Sequence, residues 1–148
     1  MLQENHKVAI YLEGHFSTDY GKMGIGVLRY LSNTIVAVID SENNGKNTNE
    51  FNSIERNVPI VGNLDAAVLN GAEVLILGIA PSGGKIPEAW FKVIESAISK
   101  NLSIINGLHD NLLSKYKNSL QNDQWIWDVR IPKFIPQIAS GKAAKLNN

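Results

Sequence analysis

The chain has 148 residues, of which 44% are apolar and 19% charged, and 14 basic side chains balance 14 acidic ones. The length suits one domain, and the charge balance excludes the broad positive field that binds nucleic acid or an anionic membrane. Without cysteine the chain has no disulfide, thiolate metal site or cysteine nucleophile. Residues 1–7 are polar and no apolar run is long enough to span a membrane, so we expect a cytoplasmic protein without a signal peptide.

Short apolar runs recur along the chain and predict buried strands, because they are rich in β-branched residues and too short for core helices. Glycine, proline or polar residues follow each run and mark its end. Pro59 favours an edge position for the third strand. The strands are predicted at residues 8–12, 34–39, 58–62, 74–79, 102–105 and 125–127.

Apolar residues with helical spacing lie between these strands. The stripe over residues 87–100 is the clearest, and Pro87 suits the first turn of that helix. Asn63 and Gly71 are typical of the start and end of a short helix. The polar stretch 41–52 predicts a loop, with a short helix within it as the alternative. The helices are predicted at residues 22–31, 64–70, 87–100 and 108–120.

Strands that alternate with helices through short connections predict an α/β protein. We expect a Rossmann-like three-layer sandwich around a mostly parallel sheet of about six strands. The strand order 3-2-1-4-5-6 fits this succession. The Rossmann-like domain is predicted to span residues 1–132, and residues 133–148, with their lysines and glycine, predict a linker or tail toward an absent second domain.

Polar and reactive residues follow five of the predicted strands, at the edge where open α/β sheets bind their ligands. His109 is the candidate catalytic residue, since an imidazole titrates near neutral pH and can act as a general base. The candidate ligand-binding residues are Glu13, Gly14, His15, Asp40, Ser82, Gly83, Gly84, Lys85, Gly107, Asp128 and Arg130.

Residues 80–85, Ala-Pro-Ser-Gly-Gly-Lys, offer consecutive amides, a hydroxyl and an ammonium before a helix, which suits a phosphate or a carboxylate. A tight turn into the helix explains the two glycines equally well. Neither Lys85 nor Lys142 has the spacing of a Walker P-loop, so we expect no ATP hydrolysis by this chain alone. The GxGxxG dinucleotide fingerprint is also missing after the first strand, which disfavours an NAD-dependent oxidoreductase.

Several of these residues have a structural interpretation beside the functional one. Asp40 stands where a ribose-binding acid would, or it caps the polar loop that follows. His109 acts as a base, or it is solvated while Asp110 caps the next helix. Arg130 binds an anion through its guanidinium fork, or it pairs with Asp128. No short-range ligand spacing predicts a metal site.

Five segments taken together resemble the amino-terminal Rossmann-like domain of the D-glutamate N-acetyltransferase-like family, long described as a domain of unknown function. The resemblance covers residues 7–132 and implies a following P-loop NTPase-like domain, which this chain ends too early to contain. It also implies acyl transfer from acetyl-CoA to the amine of an acidic D-amino acid in some members. The segments are residues 26–30, 36–41, 78–85, 107–109 and 128–130.

Under that activity His109 would be the base, Lys85 and Arg130 would clamp carboxylate or phosphate, and the amides of residues 82–85 would donate to the thioester oxyanion. The expected ligands are a small anionic molecule, with acetyl-CoA or a nucleotide as the cofactor. The alternative function is a non-catalytic nucleotide-sensing or assembly module. Either function allows a homo-oligomer, and neither predicts a nucleic acid or membrane partner.

Overall fold

Six parallel strands form one sheet in residues 1–51 and 53–129, the part of the chain that this computed structural model describes. The strands are β1 Val8–Tyr11, β2 Ile35–Ile39, β3 Ile60–Val61, β4 Val74–Leu77, β5 Ser103–Asn106 and β6 Ile126–Asp128. Their order across the sheet is β3-β2-β1-β4-β5-β6, and every neighbouring pair is parallel. This confirms the predicted Rossmann-like fold and its strand order, with the third strand at an edge.

The helices of the described residues are α1 Lys22–Tyr30, α2 Leu64–Leu69, α3 Trp90–Ser99 and α4 Leu112–Tyr116. α3 begins at Trp90, three residues after the helix start that was predicted at Pro87. The carbonyl of Pro87 accepts a hydrogen bond from the amide of Trp90 at 3.0 Å, so the proline lies in the turn before the helix. α4 is shorter than predicted and continues as a 3-10 turn over Lys117–Ser119.

The two central strands, β1 and β4, lie side by side and every one of their residues is buried. Their side chains are almost all apolar on both faces, as expected of strands covered on both sides. α1 approaches this pair closely because Gly24 has no side chain: its amide donates to the carbonyl of Gly78 at 2.9 Å. A β-carbon at Gly24 would lie 2.7 Å from the side chain of Leu12.

No regular α-helix joins β2 to β3 in the described residues of that connection. Two 3-10 turns, Ser41–Asn43 and Thr48–Glu50, lie there instead, within the predicted loop. The guanidinium of Arg56 fastens the connection by donating to the carbonyls of Leu28, Leu31 and Asn33. These carbonyls lie in the last turn of α1 and just beyond it, so the connection is anchored to that helix.

All strands run in one direction, so their carboxyl ends lie along one edge of the sheet. From β1 the strands are added toward one side of the sheet as far as β3, and from β4 they are added toward the other side. The boundary between β1 and β4 is therefore a topological switch point, where open α/β sheets bind ligands. The predicted linker, residues 133–148, and the last three residues of the predicted domain lie outside the described residues. In the described part of the chain, no helix has the length and apolar character needed to cross a bilayer.

Candidate functional site

The turn after β4 brings two glycines into backbone conformations that other residues rarely adopt. Gly83 has φ +86° and Gly84 has φ +73°, both in the left-handed region. The amide of Gly84 donates to the carbonyl of Pro81 at 2.9 Å and closes the turn. Ser82, Gly83 and Lys85 are exposed, so the hydroxyl of Ser82 and the ammonium of Lys85 are accessible to a ligand.

The loop after β5 places His109 directly against this turn. The amide of His109 donates to the carbonyl of Gly84 at 2.8 Å. A β-carbon on Gly84 would lie 2.7 Å from Cε1 of the imidazole, so the ring occupies the space that any other residue at position 84 would need. We call residues 82–85 and His109 together the glycine corner. It joins an imidazole to the amides and cation that were predicted to bind an anion.

Asp110 fixes the chain just behind the glycine corner. One of its carboxylate oxygens accepts a hydrogen bond from the amide of Ile86 at 2.8 Å. The alternative in which Asp110 caps the next helix is wrong, because the side chain of Asn111 caps α4 by accepting from the amide of Ser114 at 3.0 Å. Asp110 therefore holds the β5 loop to the residue that follows Lys85.

Asp128 is 4% exposed and accepts hydrogen bonds from within the chain on both carboxylate oxygens. Its donors are the side-chain amide of Asn106 at 2.8 Å and the backbone amides of Leu112 and Leu113 at 3.1 and 2.9 Å. The carboxylate thus sits at the amino terminus of α4, where negative charge is stabilised. We assign Asp128 to the framework of the site. Its predicted pairing with Arg130 lies outside the described residues, as does Arg130 itself.

Sequence reasoning did not single out Asn106, although this residue links the parts of the site. It is fully buried, and its side-chain nitrogen donates to the carbonyl of Asp110 and to Asp128, both at 2.8 Å. Its side-chain oxygen accepts from the amide of Leu108 at 3.0 Å. The signal in the sequence was a polar residue at the end of a buried strand, directly before Gly107. At Gly107 a β-carbon would lie 3.1 Å from the sulfur of Met23.

Asp40, at the end of β2, is also buried, and its carboxylate accepts hydrogen bonds from other residues of the chain. Its carboxylate accepts from the amides of Gly14 and Glu42 at 3.1 and 3.2 Å and from the side chain of Asn43 at 2.7 Å. Asp40 was expected either to bind a ribose or to cap the polar loop, and in the structure its side chain caps the 3-10 turn Ser41–Asn43. The hydrogen bond to Gly14, which has φ +75°, also fixes the loop after β1.

His15 lies apart from the hydrogen bonds that hold the glycine corner. Its Nδ1 is 2.9 Å from the hydroxyl of Thr18, and its ring lies 5.4 Å from the ring of Tyr20, centre to centre. Across residues 1–51 and 53–129, no three imidazole or carboxylate groups converge in a way that would hold a metal ion.

A hollow of about 430 Å³ opens at the same edge, between the ends of β1 and β2 and the helices α2 and α3. We call it the Glu13 hollow. The carboxylate of Glu13 accepts from both the amide and the hydroxyl of Ser41, which joins the ends of the two strands. Sequence reasoning named Glu13 but missed other polar residues that line the hollow with it, Tyr11, Asn63 and Lys92. They come from separate elements, and no local pattern connects them.

Comparisons with known proteins agree with this architecture. A family model described as a domain of unknown function, DUF1611_N, a Rossmann-like domain, matches residues 41–132. A crystal structure of a DUF1611 family protein from Anabaena variabilis superposes with a TM-score of 0.81 and 41% sequence identity. That similarity covers 85% of this chain and 37% of the other.

Two similar proteins carry the name D-glutamate N-acetyltransferase. The one from Tritonibacter scottomollicae is 34% identical over 82 residues, and the one from Pseudoalteromonas sp is 33% identical over 78 residues. These alignments cover 53% and 51% of this chain. They cover 24% and 23% of the relatives, so the matched region is about a quarter of each of those proteins.

Proposed function

The chain belongs to the DUF1611_N family of Rossmann-like domains, and from this premise we propose that it is the amino-terminal ligand-binding domain of a D-amino-acid N-acetyltransferase. The two relatives named for that activity support the proposal. The observation that carries it is the contact of His109 with Gly84, which brings a base to the turn that carries the exposed residues Gly83 and Lys85.

The glycine corner has the groups that an acidic amino acid requires. The ammonium of Lys85 is exposed and makes no ion pair within the described residues, so it is available to a ligand carboxylate. D-Glutamate has two carboxylates, and we assign the second to Arg130 on the strength of its sequence position after β6. Acetyl-CoA is the acyl donor that the proposed reaction requires.

The proposed reaction starts with removal of a proton from the substrate ammonium by the neutral imidazole of His109. The amine nitrogen then attacks the thioester carbonyl carbon, and its electrons pass to the carbonyl oxygen. The amides of Ser82, Gly83 and Lys85 donate hydrogen bonds to that oxyanion, since the amide of Gly84 is already bonded to the carbonyl of Pro81. As the intermediate collapses, the carbon–sulfur bond breaks and coenzyme A leaves as the thiolate, which takes the second proton of the nitrogen. The imidazolium of His109 then returns its proton to solvent. The products are an N-acetyl amino acid and free coenzyme A.

Release of the free thiol from acetyl-CoA in the presence of D-glutamate tests this proposal in the full-length native protein. We expect His109→Ala to lower kcat at least about 100-fold, the usual contribution of a general base. Lys85→Ala should raise the KM for D-glutamate, because it removes the charge that binds a carboxylate. Lys117→Ala removes an exposed cation elsewhere and serves as the control. Unchanged turnover in His109→Ala would contradict the proposal.

An assembly module is the second candidate, and an apolar groove favours it. The groove has a volume of about 300 Å³ and lies between α1 and the strands β4 to β6. Met23 and Val27 of the helix, with Leu31 just after it, line the groove together with Ile105 and Trp127 of the strands. Under this function a second copy of the chain covers the groove. Sedimentation velocity would then detect a dimer that Val27→Glu dissociates, whereas a monomer at every concentration would exclude it.

A further inference from the structure

The Glu13 hollow is distinct from the glycine corner, with which it shares no lining residue. Its volume of about 430 Å³ falls in the range of small-molecule sites, about 300–1,000 Å³. One side is apolar and is lined by Ile39, Leu64 and Val93. The polar groups come from Tyr11 at the end of β1, from Glu13 two residues beyond it, and from residues of the surrounding loops and α3.

Tyr11 is a buried phenol that lines the hollow. The residue is 4% exposed, and its ring packs edge-on against Trp90 with ring centres 5.8 Å apart. Its hydroxyl forms no hydrogen bond with any group in residues 1–51 and 53–129. Burial, and then the negative charge of Glu13, raises the pKa of Tyr11 to about 12, so the hydroxyl stays protonated at neutral pH. The phenol ring is buried, but its hydroxyl reaches the hollow, where it can donate a hydrogen bond to a ligand.

Glu13 offers a carboxylate that is already held in position. One oxygen accepts from the amide of Ser41 at 2.8 Å and the other accepts from the Ser41 hydroxyl. A carboxylate has about four acceptor sites, so each oxygen has capacity for one more hydrogen bond. Two adjacent acceptors of fixed geometry suit two neighbouring hydroxyl groups, because hydroxyls donate.

The charges around the hollow leave no cationic excess for a phosphate. Glu13 and Lys92 line the hollow with one negative and one positive charge, and Asp65 forms an ion pair with Lys100 at 2.9 Å. A phosphate placed on the hydroxyls that Glu13 binds would face a like charge. The hollow therefore favours an uncharged, hydroxylated group that also has an apolar face.

The place of the hollow in the fold points to the same ligand class. Rossmann-like folds bind a ribose near the ends of the first two strands through an acidic residue. Asp40 was predicted for that role, but its carboxylate is taken up by Gly14, Glu42 and Asn43. Glu13 presents a carboxylate in its place, at the end of β1 and bonded to the residue that follows Asp40.

We propose that the Glu13 hollow binds a ribonucleoside. The ribose hydroxyls donate to Glu13, the hydroxyl of Tyr11 bonds to the sugar or the base, and the base lies against Ile39, Leu64 and Val93. This site requires neither acyl transfer nor the glycine corner. Its failure and the failure of the proposed function are therefore separate results.

Isothermal titration calorimetry of the 148-residue chain with adenosine and 2′-deoxyadenosine tests the proposal. We expect saturable binding of adenosine and binding of the deoxynucleoside weaker by about fivefold or more, the effect of one lost hydrogen bond. Glu13→Gln should weaken adenosine about tenfold or more and remove the difference between the two ligands. Tyr11→Phe keeps the buried ring and should weaken adenosine severalfold. Adenosine 3′-monophosphate should bind more weakly than adenosine.

The control variants are Glu55→Gln and Tyr30→Phe, which make the same chemical changes at exposed positions outside the hollow. Both should bind adenosine within about twofold of the unmodified chain, a change smaller than one lost hydrogen bond causes. The proposal is overturned if adenosine gives no saturable binding, if the two nucleosides bind equally, or if Tyr11→Phe and Tyr30→Phe behave alike. The comparison of the two nucleosides needs no variant, so it holds even if Glu13→Gln fails to fold.

Discussion

The amide of His109 donates a hydrogen bond to the carbonyl of Gly84 at 2.8 Å, and the imidazole fills the space beside the α-carbon of that glycine. The two residues belong to the loops after β5 and β4, which are neighbouring strands. A second tie between the same loops joins Asp110 to the amide of Ile86 at 2.8 Å. The candidate base and the turn proposed to bind an anion are thus held as one unit, and changes to either loop should affect both.

Gly84→Ala should destabilise the protein and displace His109. Its φ of +73° costs a residue with a β-carbon about 1–2 kcal/mol, and the new methyl group would meet the imidazole at 2.7 Å. Together we expect a loss of at least about 2 kcal/mol in the free energy of unfolding, since overpacking adds to the strain. Urea denaturation followed by circular dichroism measures it.

Substitutions at two other glycines separate the cost of backbone strain from the cost of the steric clash with His109. Gly83 has φ +86° and open space around a β-carbon, so Gly83→Ala should lose only the strain energy, about 1–2 kcal/mol. Gly26 lies inside α1 with nothing within 4 Å of a β-carbon, so Gly26→Ala should stabilise the protein by about 0.5–1 kcal/mol. Equal losses at positions 83 and 84 would show that the imidazole does not press on Gly84.

Asp128→Asn should destabilise the protein although it preserves the shape of the side chain. The carboxylate accepts from Asn106, Leu112 and Leu113, and an amide group would turn a donor toward at least one of them. We expect a loss of about 2 kcal/mol or more from the unpaired buried donor. Asp123→Asn changes an exposed carboxylate and is the control. A stability equal to that of the control would contradict the framework role of Asp128.

The fold could be predicted from the sequence because its signals are local. Runs such as residues 74–79 are apolar on both faces, and such strands fit only a sheet covered on both sides. Asn63 and Gly71 likewise cap α2 as predicted, through a hydrogen bond to the amide of Ala66 at 2.9 Å and a φ of +100°. The start of α3 was predicted three residues too early, because a proline suits both the first turn of a helix and the turn that precedes it.

The roles of the acidic residues could not be predicted in the same way. Asp40 meets the amide of Gly14, 26 residues earlier, and Asp110 meets Ile86, 24 residues earlier. Such contacts depend on how neighbouring strands are staggered and on the path of each loop. The sequence could therefore place these carboxylates at the correct edge of the sheet, but it could not say which of them remain open to a ligand.

Stability should fall above pH 10 because of Tyr11. Its pKa is raised from 10.0 to about 12 in the folded protein by burial and by Glu13, so the unfolded chain releases this proton first. The folded state then binds more protons between pH 10 and 12, and its stability decreases with pH across that window by about 2–3 kcal/mol. Tyr116 acts in the same direction, because burial and its hydrogen bond to Glu95 raise its pKa.

Urea midpoints of the unmodified chain and of Tyr11→Phe, measured from pH 9 to 12, isolate this contribution. The variant should lose less stability over the window, because it has no phenol to ionise at position 11. Parallel curves for the two proteins would contradict the buried position of the hydroxyl.

Arg56→Lys should loosen the connection between β2 and β3. The guanidinium donates to three carbonyls, those of Leu28, Leu31 and Asn33, and a lysine cannot reproduce this planar fork. We expect chemical denaturation to show a loss of about 1.5–3 kcal/mol in the free energy of unfolding, the usual range for a hydrogen bond to a charged group. Arg29→Lys is the control, since Arg29 is exposed and bonds to the hydroxyl of Ser53. Equal stability of the two variants would count against the anchor.

The most direct measurement is a titration of the isotopically labelled chain with D-glutamate, followed by nuclear magnetic resonance. The account predicts saturable shifts in the amides of Gly83, Gly84 and Lys85 and in the imidazole of His109, and their loss in Lys85→Ala. Lys117→Ala should leave those shifts unchanged. Shifts that do not saturate, or that fall elsewhere and leave the glycine corner unaffected, would contradict the claim that this corner binds the acidic substrate.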